Sequence, residues 1–282
     1  MHKAINPITD EELHRLKLFL DPVIDEVEVP EYIASDPVMF MHRYDDIEDR
    51  NLAGFISALL AWGRRDVVIA KIVDLFARFE TGPADFIGNL TTRDELCLAG
   101  FRHRTFTADD IRWILRALHR ILQQFGSFES FWSDCHRLAS KAKPETRPLL
   151  SVFYERFFEQ IPEAPKRVGK HIASPGKHSS CKRLYLYLRW TIRTNSCVDP
   201  GTMGFMPPSD LMIPLDVHVA RFSRMFGLLT RPVNDWKSVC QLTETLRKMD
   251  PVDPVRYDYA LFGLGVKRIE IPEIFVLNPA KV

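Results

Sequence analysis

Apolar residues recurring at three- and four-residue steps constrain this chain more than any other feature of its sequence. Leu13, Leu16 and Leu20 mark one face of a first helix over residues 10–21, with Pro22 expected to end it. Residues 52–79 read as two helices: NLAGFISALLAW, then a restart near Arg65 and Asp66 that runs to Phe79. Gly82-Pro83 stops the second. Residues 108–125 are amphipathic and closed by Gly126, and residues 128–138 follow. The same period marks 148–161, 181–193, 216–226, 235–249 and 255–264. Between these lie a linker at 141–147 (KAKPETR) and two loops rich in turn-forming residues, 172–180 and 195–209. Few segments alternate with period two, and there is no internal repeat or low-complexity tract. The expected fold class is all-α.

A chain of 282 residues suffices for one large or two small domains. No apolar run approaches the ~18 residues of a membrane span, so no membrane partner is expected. The first residues, MHKAINPITDEELHRLKLFL, lack the basic-then-apolar pattern of a signal peptide. The five cysteines (Cys97, Cys135, Cys181, Cys197, Cys240) are scattered, with no CxxC and no Cys/His ligand spacing. Neither a disulfide framework nor a zinc or iron–sulfur site is therefore expected, and a reducing cytosol fits best. Cofactors: none are expected. The net charge of +1 argues against a general nucleic-acid binder. The distribution says more: residues 164–198 contain no Asp or Glu but hold Lys166, Arg167, Lys170, Lys177, Lys182, Arg183, Arg189 and Arg193. Such a field suits a phosphate backbone; a solvated basic loop is the plainer alternative.

The most specific segment is IPLDVHVARFSRMFGLL, residues 213–229. It reads as a helix entered from Pro214, with Asp216 at the N-cap and Gly227 just beyond the end. As a cap alone, Asp216 would accept hydrogen bonds from backbone amides near Val219. The helix dipole also holds such a carboxylate ionised and the backbone aims it. Those properties suit a group that stabilises a cation or activates a nucleophile.

PLDVHVAR resembles the signature of the helix-hairpin-helix DNA glycosylases, in the form found in 8-oxoguanine glycosylases. The resemblance implies that Asp216 is the essential aspartate and His218 its neighbouring histidine. In bifunctional members an upstream helix carries a catalytic lysine in its first turn, and in SSCKRLYLYLRWTIR that position is Lys182. The lysine-to-aspartate separation is longer than in most of the family, the excess lying in residues 195–209. NLAGFISALLAWGRRDVVIAKIVDLF resembles the early helix pair of endonuclease III-like members, with Gly63 where a glutamine would enter the gap left by a flipped base. His178-Ser179-Ser180-Cys181 replaces the hairpin's Gly-x-Gly, and the four-cysteine iron–sulfur loop is missing. The chain is closer still to an uncharacterised bacterial family with CKRLxxxLRW, IPLDxHVxR and DPxDPVxYDxALFGLG motifs, matched over nearly its whole length. The glycosylase likeness covers 51–79 and 179–266.

These likenesses imply two helical domains with a cleft between them: residues 51–196, carrying Lys182, and residues 1–50 plus 197–282, carrying Asp216. The implied partner is double-stranded DNA containing a damaged base, bound by a monomer in the bacterial cytosol or nucleoid, with no iron–sulfur cluster. The implied activity is base excision with a lyase step on an oxidised purine, most simply 8-oxoguanine. Lys182 would attack the anomeric carbon, activated by its helix start and by Arg183 beside it, and Asp216 would take its proton. The flipped base would lie among Trp62, Tyr187, Trp190 and His218. Arg64 or Arg65 would enter the vacated stack. Phosphates would meet the amides of Ser179, Ser180 and Cys181, helped by Lys177 and Arg183. A monofunctional glycosylase for another lesion, with Lys182 on a phosphate, and a non-catalytic DNA-binding module are the alternatives.

Overall fold

The computed structural model describes residues 5–141 and 148–279; of the expected linker, residues 142–147 lie outside the described residues. Helix α1 (Asp10–Val27) opens on a capping box between Thr9 and Glu12. It buries Leu13, Leu16, Leu20, Val23, Ile24 and Val27. Pro22 lies inside this helix and does not end it, contrary to the sequence expectation. The ring removes the hydrogen bond to the Leu18 carbonyl, on a residue whose side chain is exposed to solvent. Burial of Val23, Ile24 and Val27, each worth roughly 1.5–3 kcal/mol, offsets a proline cost of about 3 kcal/mol and carries the helix onward.

After the short helix α2 (Pro30–Ile33) and a 3₁₀ segment (Pro37–Arg43), helix α3 (Ile47–Leu60) is buried at every position from Asn51 to Leu60. A helix with no solvated face in that stretch must be central. Gly63, at φ 114°, turns the chain into α4 (Arg65–Phe76) through a region that side chains rarely adopt. Two short helices, α5 (Pro83–Gly88) and α6 (Thr92–Leu96), lead to a hairpin of β1 (Arg102–His103) and β2 (Phe106–Thr107). The hairpin is antiparallel, pairing Arg102 with Thr107 and His103 with Phe106. Helices α7 (Ala108–Phe125), α8 (Phe128–Ala139) and α9 (Leu149–Glu159) follow. The remainder comprises α10 (Lys182–Ile192), α11 (Val217–Met225), α12 (Trp236–Met249) and α13 (Tyr257–Val266).

The molecule is thus mostly helical, and the hairpin is its whole sheet content among the described residues. Helix α3 packs against α5, α8, α10 and the 3₁₀ segment, while α8 packs on α9 and α7 on both α5 and α8. The first helix packs on α13 and α12, and α11 on α13. Phe55, Phe128, Trp132, Phe153 and Tyr187 form an aromatic cluster where α3, α8, α9 and α10 meet. No helix among the described residues is long and apolar enough to cross a membrane.

Candidate active site

Asp216 caps α11 as its sequence position requires: Oδ1 accepts from the backbone amides of His218 and Val219, both at 2.8 Å. Capping uses only that oxygen. The other, Oδ2, stands 3.1 Å from the Lys182 ammonium at the start of α10. Two elements hold the pair together. The Ser180 hydroxyl donates to the carbonyl of Leu215 at 3.3 Å, tying the turn before α10 to the segment before α11. Within that turn Ser179 Oγ accepts from the Cys181 amide at 3.1 Å. His178 and Cys181 both adopt left-handed backbone, at φ 58° and 53°, so the turn takes a glycine-like path without glycine. The Asp216 side chain is 10% exposed and that of Lys182 is 38% exposed, so the amine stays within reach of an incoming molecule.

The pair opens on a cleft of about 710 Å³ that Arg65, His218, Asp258 and Phe262 help to line. That size lies within the usual range for small-molecule sites. Arg65 lies between the rings of Tyr32 and Phe262, 5.5 and 5.4 Å from their centroids, and pairs with Asp36 at 3.6 Å. Tyr32 donates its hydroxyl proton to the same carboxylate at 3.1 Å. On the floor, Asp258 accepts a hydrogen bond from Arg189. Burial pushes the Asp258 carboxyl up to about 6, against the pull of Arg189; the Asp216 charge adds to the rise and Lys182 opposes it.

Below the floor, ion pairs fill the space between α1, α10 and α13. Arg189 donates to Asp199 at 3.2 Å and to the Tyr259 hydroxyl at 3.0 Å, and that hydroxyl donates to Asp199 at 2.8 Å. Arg193 bonds Asp199, Glu28 at 2.8 Å and Asp253 at 2.8 Å. These contacts anchor the loop after α10, so the long insertion between Lys182 and Asp216 is fastened from below.

The sequence family described as "Protein of unknown function (DUF2400)" matches residues 36–267. The chain belongs to this family. Comparison with curated proteins and with solved structures gave no match. Lys182, Asp216, Asp258, Arg65 and Asp36 all fall within the DUF2400 match.

Not every residue singled out from the sequence of this DUF2400 chain reaches the cleft. Tyr187 and Trp190 do not: both are fully buried, because α10 packs on every side from Tyr187 to Ile192 and its rings enter the core. Trp62 is half-buried beside a second pocket of about 440 Å³, which adjoins the first at Lys182 and also takes in Lys170, His171, Ser179, Ser180 and Arg183. The indole lies 4.5 Å from the Arg104 guanidinium and 5.9 Å from that of Arg183. His218 is exposed, edge-on to Phe262.

The basic residues divide in the same way. Arg183 is spent internally, donating to the carbonyls of Leu59 and His171, and burial lowers its pKa to about 10. It fastens α10 to α3 and is not placed to grip a phosphate. Lys177 is exposed, with its amine 2.6 Å from the Tyr154 hydroxyl. Arg64 is exposed and paired with Asp66, whereas Arg65 is held in the cleft wall and is not free to enter a base stack. His171 lies buried against the Phe106 ring; burial holds it down at about 4, with Asp110 pulling the other way. Among the described residues no group of three or more His, Cys, Asp or Glu side chains gathers as a metal site. Asp258 and Asp36 were missed from the sequence, and Arg189 was read only as part of the basic field at 164–198. The visible signal was an acid set directly before the apolar run YALFGLG, where an ionised group needs a buried partner.

Proposed function

We propose that this protein is a DNA glycosylase of the helix-hairpin-helix kind, with a β-lyase step, acting on an oxidised purine such as 8-oxoguanine. The observation that carries this reading is the Lys182–Asp216 pair, 3.1 Å apart at the edge of an open cleft. A lysine nucleophile must lose its proton before it attacks, and Asp216 is the adjacent acceptor. The freed Lys182 amine attacks the anomeric carbon and expels the base, and the ring-opened sugar becomes a Schiff base. The cleft takes the flipped base. Lys170, which lines the second pocket, and the exposed Lys177 follow the phosphates. An open cleft supports the enzyme over a binding module that has lost its chemistry. The left-handed turn at 178–181 supports a hairpin in which histidine and cysteine do the work of the missing glycines. We assign residues 51–196 to one lip of the cleft, and residues 1–50 with 197–282 to the other.

A panel of duplexes bearing single lesions tests this. The expected result is release of an oxidised purine, with strand cleavage on the 3′ side of the vacated sugar. Base release without cleavage would assign the monofunctional reading, with Lys182 on a phosphate. Binding without release from any lesion would overturn the enzyme.

A further inference from the structure

Two carboxyls face one lysine in this cleft, and their surroundings differ. Asp216 is fully committed: one oxygen takes two backbone amides and the other takes Lys182. Both oxygens are thereby engaged, so neither is placed to face a departing base. Asp258 accepts from Arg189 through Oδ2, while Oδ1 makes no hydrogen bond among the described residues. Its carboxyl lines the cleft although the residue is only 6% exposed.

We propose that Asp258 is the general acid of this cleft, handing its carboxyl proton to the departing base while Asp216 serves Lys182. The inference rests on the glycosylase reading above. A neutral purine lesion leaves as an anion on N9 unless it is protonated as the bond breaks, so an acid facing the base lowers that barrier. The proton of Lys182 passes to Asp216, and Nζ forms its bond to C1′. The C1′–N9 bond breaks with its electron pair going to the base. The Asp258 proton goes to a base nitrogen, so the base departs neutral and Asp258 is left as a carboxylate.

Burial favours a retained proton on Asp258 against the pull of Arg189, with the Asp216 charge adding to the rise and Lys182 opposing it. Arg189 and Lys182 face it from α10, Asp216 from the start of α11, Tyr32 and Asp36 from the segment before α3, Arg65 from α4, and Asp199 from the loop behind. Arg193 lies just below, paired with Glu28, Asp199 and Asp253. The net result is a carboxyl at about 6. One carboxyl buried in the cleft wall and a second in contact with the lysine is the division of labour that an acid and a proton acceptor require.

The test is the pH profile of single-turnover base release on whichever lesion the wild-type protein excises. Wild type should lose activity as pH rises above about 6, roughly tenfold per unit while proton donation limits the rate. Asp258→Asn should lose that descending limb and release base at least about a hundredfold more slowly at about pH 5.5. Asp258→Glu, which restores a proton donor, should regain the limb. A flat wild-type profile between about pH 5 and about pH 8 would overturn the inference and leave the glycosylase reading standing. So would an Asp258→Asn variant slowed equally at every pH, the mark of a merely structural residue. Base release from no lesion would overturn the glycosylase reading itself.

Discussion

The far end of helix α10 buries Arg189 and Arg193 among Asp199, Asp253, Asp258 and Glu28, and every guanidinium there is matched by carboxylates. At its near end Lys182 meets one carboxylate and keeps more than a third of its side chain exposed, while Arg183 meets only backbone carbonyls. One helix therefore has two kinds of cationic end. A charge removed from water must be paired and hydrogen-bonded or the fold is penalised, which accounts for the crowding around Arg193. A charge left at a cleft edge is under no such demand. Its single short contact is the one that the proposed proton transfer would use.

If that contrast is real, the ends should respond unequally to loss of charge. Arg193→Met leaves Asp199, Asp253 and Glu28 facing each other without their cation. It should cost on the order of 3–5 kcal/mol of unfolding free energy, read from denaturant midpoints at unchanged slope. Lys182→Gln, at a lysine that is 38% exposed, leaves Asp216 its two backbone amides and should cost about 1 kcal/mol by the same measurement. Equal losses would abolish the distinction between a structural and a chemical end.

Asp216→Asn sharpens it further, because the two roles of this residue make opposite demands. Asparagine caps a helix about as well as aspartate, so the bonds to His218 and Val219 should survive and the melting temperature should move little. The negative charge beside Lys182 is lost. Single-turnover base release should fall at least about a hundredfold, roughly 2.7 kcal/mol in activation free energy. Release at the wild-type rate would leave Asp216 as a cap alone.

Much of this arrangement was legible in the sequence, for reasons that differ from element to element. Helix α7 declares itself because one face, from Ile111 to Ile121, is apolar and the other charged. Asp216 could be named because an N-cap has a residue signature, and Lys182 only because the resemblance to the glycosylases implied a lysine in that first turn. Pro22 misled because local rules do not weigh the burial of Val23, Ile24 and Val27 beyond it. Tyr187 and Trp190 were misplaced for a related reason. A helix buried on every side has no preferred face, so its spacing does not tell core from cleft. Arg183 and Arg189 read as members of one basic field because the carbonyls and carboxylates they meet come from distant segments. The floor of the cleft was hidden in the same way: Asp258 and Arg189 are 69 residues apart, and only the fold brings them together.

The most direct measurement on the central claim is borohydride trapping on lesion-bearing DNA, followed by peptide mapping of the adduct. The account predicts a covalent protein–DNA species in the wild-type protein, mapped to Lys182, and none in Lys182→Gln at equal folding and equal DNA binding. A trapped species that persists in Lys182→Gln, or that maps to another amine, would contradict it.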